Sequence, residues 1–152
     1  MQLDASMEAV RLNEISFLII QSAIEVHRTL GPGLLESVYR ACLLYELRQR
    51  NLSVIAEQIV PICYKDAIID GWYRLDLLVE DEIIVEIKAV DVVLTVHHAQ
   101  LLSYLRLTKK PLGLFINFNV PVLVKGVKRM MNGCEAAALR SKQGADADPS
   151  VP

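Results

Sequence analysis

The chain has no Cys-x-x-Cys pair, no arm rich in Lys and Arg, and no apolar run of membrane-spanning length. Its 3 cysteines, Cys42, Cys63 and Cys134, are odd in number and widely spaced. They read as reduced structural thiols in a cytoplasmic protein. No basic-then-apolar leader precedes the first helical stretch, so a soluble cytoplasmic protein without membrane contact is expected. His97 and His98 have neither a Cys nor a second spaced His nearby, which argues against zinc. A net charge of −2 and a pI near 5.9 exclude a strongly basic nucleic-acid coat. Any nucleic-acid partner must then be held by a local patch or through metal ions.

What remains is ample core material. At 152 residues and 53% hydrophobic composition, one domain with a sizeable core is expected. That domain is assigned to residues 1–133. Residues 134–152, where the composition changes to Ala, Ser, Asp, Gln and Pro, are assigned to a flexible tail. Ile15, Leu18, Ile19, Ser22, Ala23, Val26 and Leu30 fall on one stripe, which predicts a helix over 12–30 with Asn13 as its N-cap. Gly31-Pro32-Gly33 ends it, and a second helix is predicted over 34–49.

Extended segments follow at 52–64, interrupted by Pro61 and so suited to an edge or a bulge, and at 68–79. The most apolar strand, predicted over 83–92, belongs in the middle of the sheet. A helix over 96–107 then leads to a buried strand at 112–118, a βαβ crossover with parallel strands. Residues 122–130 could add a short edge strand or a helical turn.

The chemistry concentrates where two of these strands meet. Only Glu80, Asp81 and Glu82 separate Tyr73-Arg74-Leu75-Asp76-Leu77-Leu78-Val79 from Ile83-Ile84-Val85-Glu86-Ile87-Lys88. A hairpin folded about Asp81 sets Val79 against Ile83, Asp76 against Glu86 and Arg74 against Lys88. Strand alternation then predicts that Arg74, Asp76, Glu86 and Lys88 share one face. Two opposed acids repel unless a cation or a shared proton lies between them. A hard cation such as Mg²⁺ takes oxygen ligands from one or two carboxylates and keeps several waters. Asp76, Glu86 and the backbone carbonyl of Ile87 would make such a half-shell. Lys88 beside them could orient or help deprotonate an attacking water.

A Glu-x-Lys on a strand is common by chance, and its plain reading is a cross-strand ion pair on a solvated face. Two points weigh against that reading. Its neighbours Ile83, Ile84, Val85, Ile87, Ala89 and Val90 leave almost no polar face, and an ordinary salt-bridge layout would not oppose Asp76 to Glu86. Two helices offer further groups. Gly33-x-x-Glu36-x-x-Tyr39 puts Glu36 and Tyr39 on neighbouring turns, and His97, Gln100 and Tyr104 recur at i, i+3 and i+7. Each has an ordinary structural role available: an acid at a helix start for Glu36, a core aromatic for Tyr39, a polar helix face for the others.

Together these segments resemble the GxxExxY family of the PD-(D/E)XK nuclease superfamily. The resemblance rests on Gly31-Pro32-Gly33-Leu34-Leu35-Glu36-Ser37-Val38-Tyr39, Tyr73-Arg74-Leu75-Asp76, Val85-Glu86-Ile87-Lys88 and Gln100-Leu101-Leu102-Ser103-Tyr104. It covers about residues 14–130 in matching order. The family usually carries an acid after His97, where this chain has His98.

The resemblance implies an α/β, restriction-endonuclease-like αβββαβ core: a mixed central sheet flanked by helices, with an extra N-terminal helix. It implies Glu36, Asp76 and Glu86 around Mg²⁺ or Mn²⁺, Glu36 through water, with Lys88 as catalytic lysine. Gln100 and Tyr104 match the Gln-xxx-Tyr motif of the RecB-like branch, which assists the active site. The expected function is hydrolysis of phosphodiester bonds in DNA, in preference to RNA. The alternative is a non-catalytic nucleic-acid-binding or assembly module on the same scaffold. A homodimer through the apolar first helix is also expected.

Overall fold

The computed structural model describes residues 4–133, so the tail assigned to 134–152 lies outside the described residues. Two helices come first, α1 (Ala5–Leu30) and α2 (Glu36–Gln49). Three strands follow, β1 (Val54–Tyr64), β2 (Ala67–Val79) and β3 (Ile83–Lys88). Helix α3 (Thr95–Thr108) leads to β4 (Leu112–Asn117), a 3-10 turn (Leu123–Gly126) and β5 (Val127–Met131). This is the expected αβββαβ order with α1 as the additional helix. The 122–130 stretch supplies both a turn and an edge strand.

The sheet runs β1-β2-β3-β4-β5, with β3 in the centre as its apolar run predicts. Strands β3 and β4 are parallel, joined by the α3 crossover; the other neighbours are antiparallel. Between β1 and β2 the register shifts at Pro61/Ile62, where proline removes a donor from the ladder. Helices α1 and α2 cover one face, packing Ile19, Tyr39 and Leu43 onto Leu77, Val85 and Ile87. On the other face α3 packs Leu101, Tyr104 and Leu105 onto Leu75, Ile84 and Phe115.

Three boundaries differ from expectation. Helix α1 begins at Ala5, capped by Asp4, whose carboxylate accepts from the Ser6 N–H and hydroxyl. Asn13 therefore lies inside the helix, because residues 5–11 are all exposed and show no buried stripe to reveal the extra turns. Helix α2 starts at Glu36, after a Gly31-Pro32-Gly33 turn in which the two glycines take φ of 71° and 100°. Strand β3 stops at Lys88 rather than running to 92. Beyond it, Asn117 pins the chain sideways, accepting from the Val90 N–H at 3.1 Å and donating to the Val90 carbonyl at 2.9 Å.

Candidate active site

The predicted hairpin register is present: Val79 pairs with Ile83, Leu78 with Ile84 and Leu77 with Val85. The connection is tight, with the Glu82 N–H donating to the Val79 carbonyl, and both Glu80 and Asp81 at positive φ (52° and 57°). Such residues normally favour Asn or Gly there. The two acids are tied down instead, Glu80 accepting the Ser53 N–H at 2.7 Å and Asp81 pairing with Lys110 at 3.0 Å.

Pairing between β2 and β3 ends at Leu77, and the next residue departs from the simple alternation. Leu77 packs under α1 and α2, yet Leu75, two residues away, packs under α3. In β1, likewise, Ala56 belongs to the first core and Val60 to the second. The strands change faces together at Asp76 and at Glu57 opposite it, and Glu57 has φ 56°. One expectation is thereby corrected. Arg74 does not lie with Glu86 and Lys88; it pairs in register with Ile59 and reaches Glu57 at 3.3 Å. The slip turns the Asp76 carboxylate into the gap between strands, where Oδ2 accepts the Ile87 N–H at 2.8 Å.

Glu86 and Lys88 stay together, Nζ to Oε1 at 3.4 Å, with Glu86 only 5% exposed. Burial, then the charge of Asp76 and more weakly that of Glu36, pushes the Glu86 carboxyl up to about 7 against the opposing pull of Lys88. Glu36, in the first turn of α2, is thus within electrostatic reach although it makes no direct contact in this cluster. Tyr104 also feels the group: burial, then Glu86, raises its hydroxyl, while the Gln100 hydrogen bond and Lys88 lower it. Gln100 Nε2 donates to the Tyr104 hydroxyl at 2.7 Å, and the Tyr104 ring stacks on Tyr73. Glu36, Asp76, Glu86, Lys88, Gln100 and Tyr104 therefore converge from two helices and two strands.

Other residues singled out by spacing have structural roles. Tyr39 is fully buried, stacks on Phe118, and staples the turn before α2 by donating to Gly31 and accepting from Leu34. Phe118 in turn donates its N–H to the Lys88 carbonyl, which ties α2 to the end of β3. His97 Nδ1 accepts the Leu94 N–H and caps α3, and His98 packs edge-on against Phe115. Burial, then Lys128 and His97, lowers the His98 pKa.

Sequence reading passed over Arg40. It lies one turn beyond Glu36 on α2, with Nη1 3.2 Å from Asp76 and Nη2 3.0 Å from Glu57. The i, i+4 spacing from Glu36 was the available signal.

The donor set suits a hard cation. Among the described residues no three His, Cys, Asp or Glu side chains gather tightly enough to close a metal cage. The oxygen donors present are the carboxylates of Asp76 and Glu86, with Glu36 within electrostatic reach. Burial first, and the neighbouring Asp76 charge second, make the ionised form of Glu86 costly, and a bound cation would relieve both.

No helix among the described residues is long and apolar enough to cross a membrane. No curated protein shows a match to the sequence. The solved structure titled "Crystal structure of SSO0001" is similar at 17% identity with a TM-score of 0.49, over 76% of this chain and 61% of that one. This chain thus spans less than two thirds of that structure's length. The sequence matches the PD-(D/E)XK nuclease superfamily over residues 13–130, across the helices, hairpin and crossover that build the site, and the chain belongs to that superfamily.

Proposed function

We propose that the protein is a metal-dependent nuclease that hydrolyses phosphodiester bonds in DNA, in preference to RNA, and that it falls in the GxxExxY family of the RecB-like branch. The observation that carries the proposal is Glu86: a nearly buried acid set beside Asp76 and ion-paired to Lys88 at 3.4 Å. Such a group is costly in a purely structural sheet and useful in a cation site.

Asp76, Glu86 and the Ile87 carbonyl would hold Mg²⁺ or Mn²⁺, with Glu36 acting through water. A bound ion of this kind supplies charge against the phosphate and acidifies a water. Lys88 steadies the charge that develops on the phosphate as the water oxygen bonds to phosphorus and the ester oxygen leaves. The Gln100–Tyr104 pair, linked at 2.7 Å, borders Lys88 and orients the water or a phosphate oxygen. One domain, residues 1–133, would carry the activity. The free thiols Cys42 and Cys63 suit the reducing cytoplasm, and exposed Met7, Val10 and Phe17 on α1 suit a homodimer contact.

The test is cleavage of labelled duplex, single-stranded and branched DNA, and of RNA, in Mg²⁺, Mn²⁺ or EDTA. Asp76→Ala, Glu86→Ala and Lys88→Ala should each lose roughly 10²–10³-fold or more in rate, the range found for removing one transition-state contact. They should keep a wild-type circular dichroism spectrum. Full activity in these variants overturns the assignment. Binding without nicking under every condition favours the non-catalytic module.

A further inference from the structure

We propose that Arg40 is the site's stand-in cation, seated on Asp76 until a divalent ion takes that oxygen, and that Glu57 is the seat to which it withdraws. The inference rests on the metal-dependent reading above and concerns residues that reading does not use.

Both oxygens of Asp76 are already engaged by the protein itself. Oδ2 accepts the Ile87 N–H at 2.8 Å, and Oδ1 faces Arg40 Nη1 at 3.2 Å. The first bond fixes the carboxylate in the gap between strands and leaves Oδ1 as the oxygen that can turn to a new cation. Arg40 is an unusual occupant of that place, because its side chain is only 17% exposed and rises from the helix that carries Glu36. A guanidinium so placed offsets the repulsion between Asp76 and Glu86.

Its second partner explains how it could leave. Glu57 Oε1 lies 3.0 Å from Arg40 Nη2 and 3.3 Å from Arg74 Nη1, so one carboxylate oxygen faces two guanidinium groups. The register passes from Ala56↔Leu77 to Gln58↔Leu75 around Glu57 and Asp76 without pairing them. Glu57 also holds φ 56°, a left-handed conformation unfavourable for a residue with a Cβ. The strand thus accepts local strain where it presents a carboxylate to Arg40. When Asp76 turns to a divalent ion, Arg40 keeps a charge-assisted contact through Glu57 instead of being left unpaired in a half-buried place.

A purely structural Arg40, clamping α2 to the sheet, predicts the opposite sign for metal affinity: its removal would loosen the site and weaken binding. Calorimetric titration of Mn²⁺ into the wild type, Arg40→Met, Glu57→Gln and Asp76→Asn separates the two. Loss of a competing charge-assisted hydrogen bond should tighten Mn²⁺ binding by about tenfold in Arg40→Met. Its melting temperature should fall in EDTA and recover in saturating Mn²⁺. Glu57→Gln, which leaves Arg40 with Asp76 alone, should bind several-fold more weakly.

Equal or weaker binding by Arg40→Met overturns the proposal. If that variant does not fold, unchanged affinity in Glu57→Gln overturns it instead. Wild-type binding that survives in Asp76→Asn, or no wild-type binding at all, removes the metal site and this inference with it. Binding lost in Asp76→Asn but unaltered in Arg40→Met removes this inference alone.

Discussion

From Ile83 to Ile87 every residue of β3 is buried, whereas Ile59, Ile68 and Trp72 on the β1–β2 ribbon are each more than half exposed. Both regions belong to one sheet and both carry charges. In β3 a charge must find a partner or a function, because both faces are covered by helices. On the ribbon, where β2 has no partner but β1 before Leu77, Arg74 and Glu57 stay close to half exposed and solvent screens them. The site lies where the two regimes join, at the face change of Asp76 and Glu57.

The sharpest way to break this comparison is to remove apolar side chains from each region. Leu77→Ala or Ile87→Ala, both in the core under α1 and α2, should cost about 2–5 kcal/mol in urea unfolding. Ile59→Ala and Ile68→Ala should fall within about 0.5 kcal/mol of wild type. Equal losses in both regions would mean that the ribbon is covered in solution.

Protonation sharpens it next. The Glu86 carboxyl titrates near 7 in the folded protein against 4.5 for the ordinary group. The folded state therefore binds more protons than the unfolded state between those values, and metal-free stability should fall as pH rises through that window. The loss should reach up to about 3 kcal/mol by pH 8. Melting in EDTA at pH 5 and pH 8 checks the sign, and Glu86→Gln should flatten the difference. A wild type that gains stability over that range would contradict the burial argument.

The smallest effect belongs to the ribbon's own ion pair. Arg74→Ala should change stability by less than about 1 kcal/mol, since both partners are close to half exposed. A larger loss would mean that Glu57 and Arg74 act as part of a coupled network with Arg40.

Much of this was legible because local rules operate. Three polar residues between two apolar runs predicted the hairpin, and pairing from Val79↔Ile83 to Leu77↔Val85 matches it. The central place of β3, the parallel crossover and the edge position of the strand with Pro61 also followed from composition. Alternation failed at Asp76, because a period of two assumes an unbroken ladder and Glu57 interrupts this one. The start of α1 was hidden because its first turns bury nothing.

By itself the chain's order of residues determined the elements, the hairpin register and the pairing of Glu86 with Lys88 on one strand face, since each depends on neighbours close in sequence. Only tertiary structure decided that Glu36 and Arg40 arrive from α2, and Gln100 and Tyr104 from α3. Those approaches are set by long-range packing, Tyr39 on Phe118 and Tyr104 on Tyr73, between side chains too far apart in sequence for any local period to relate them.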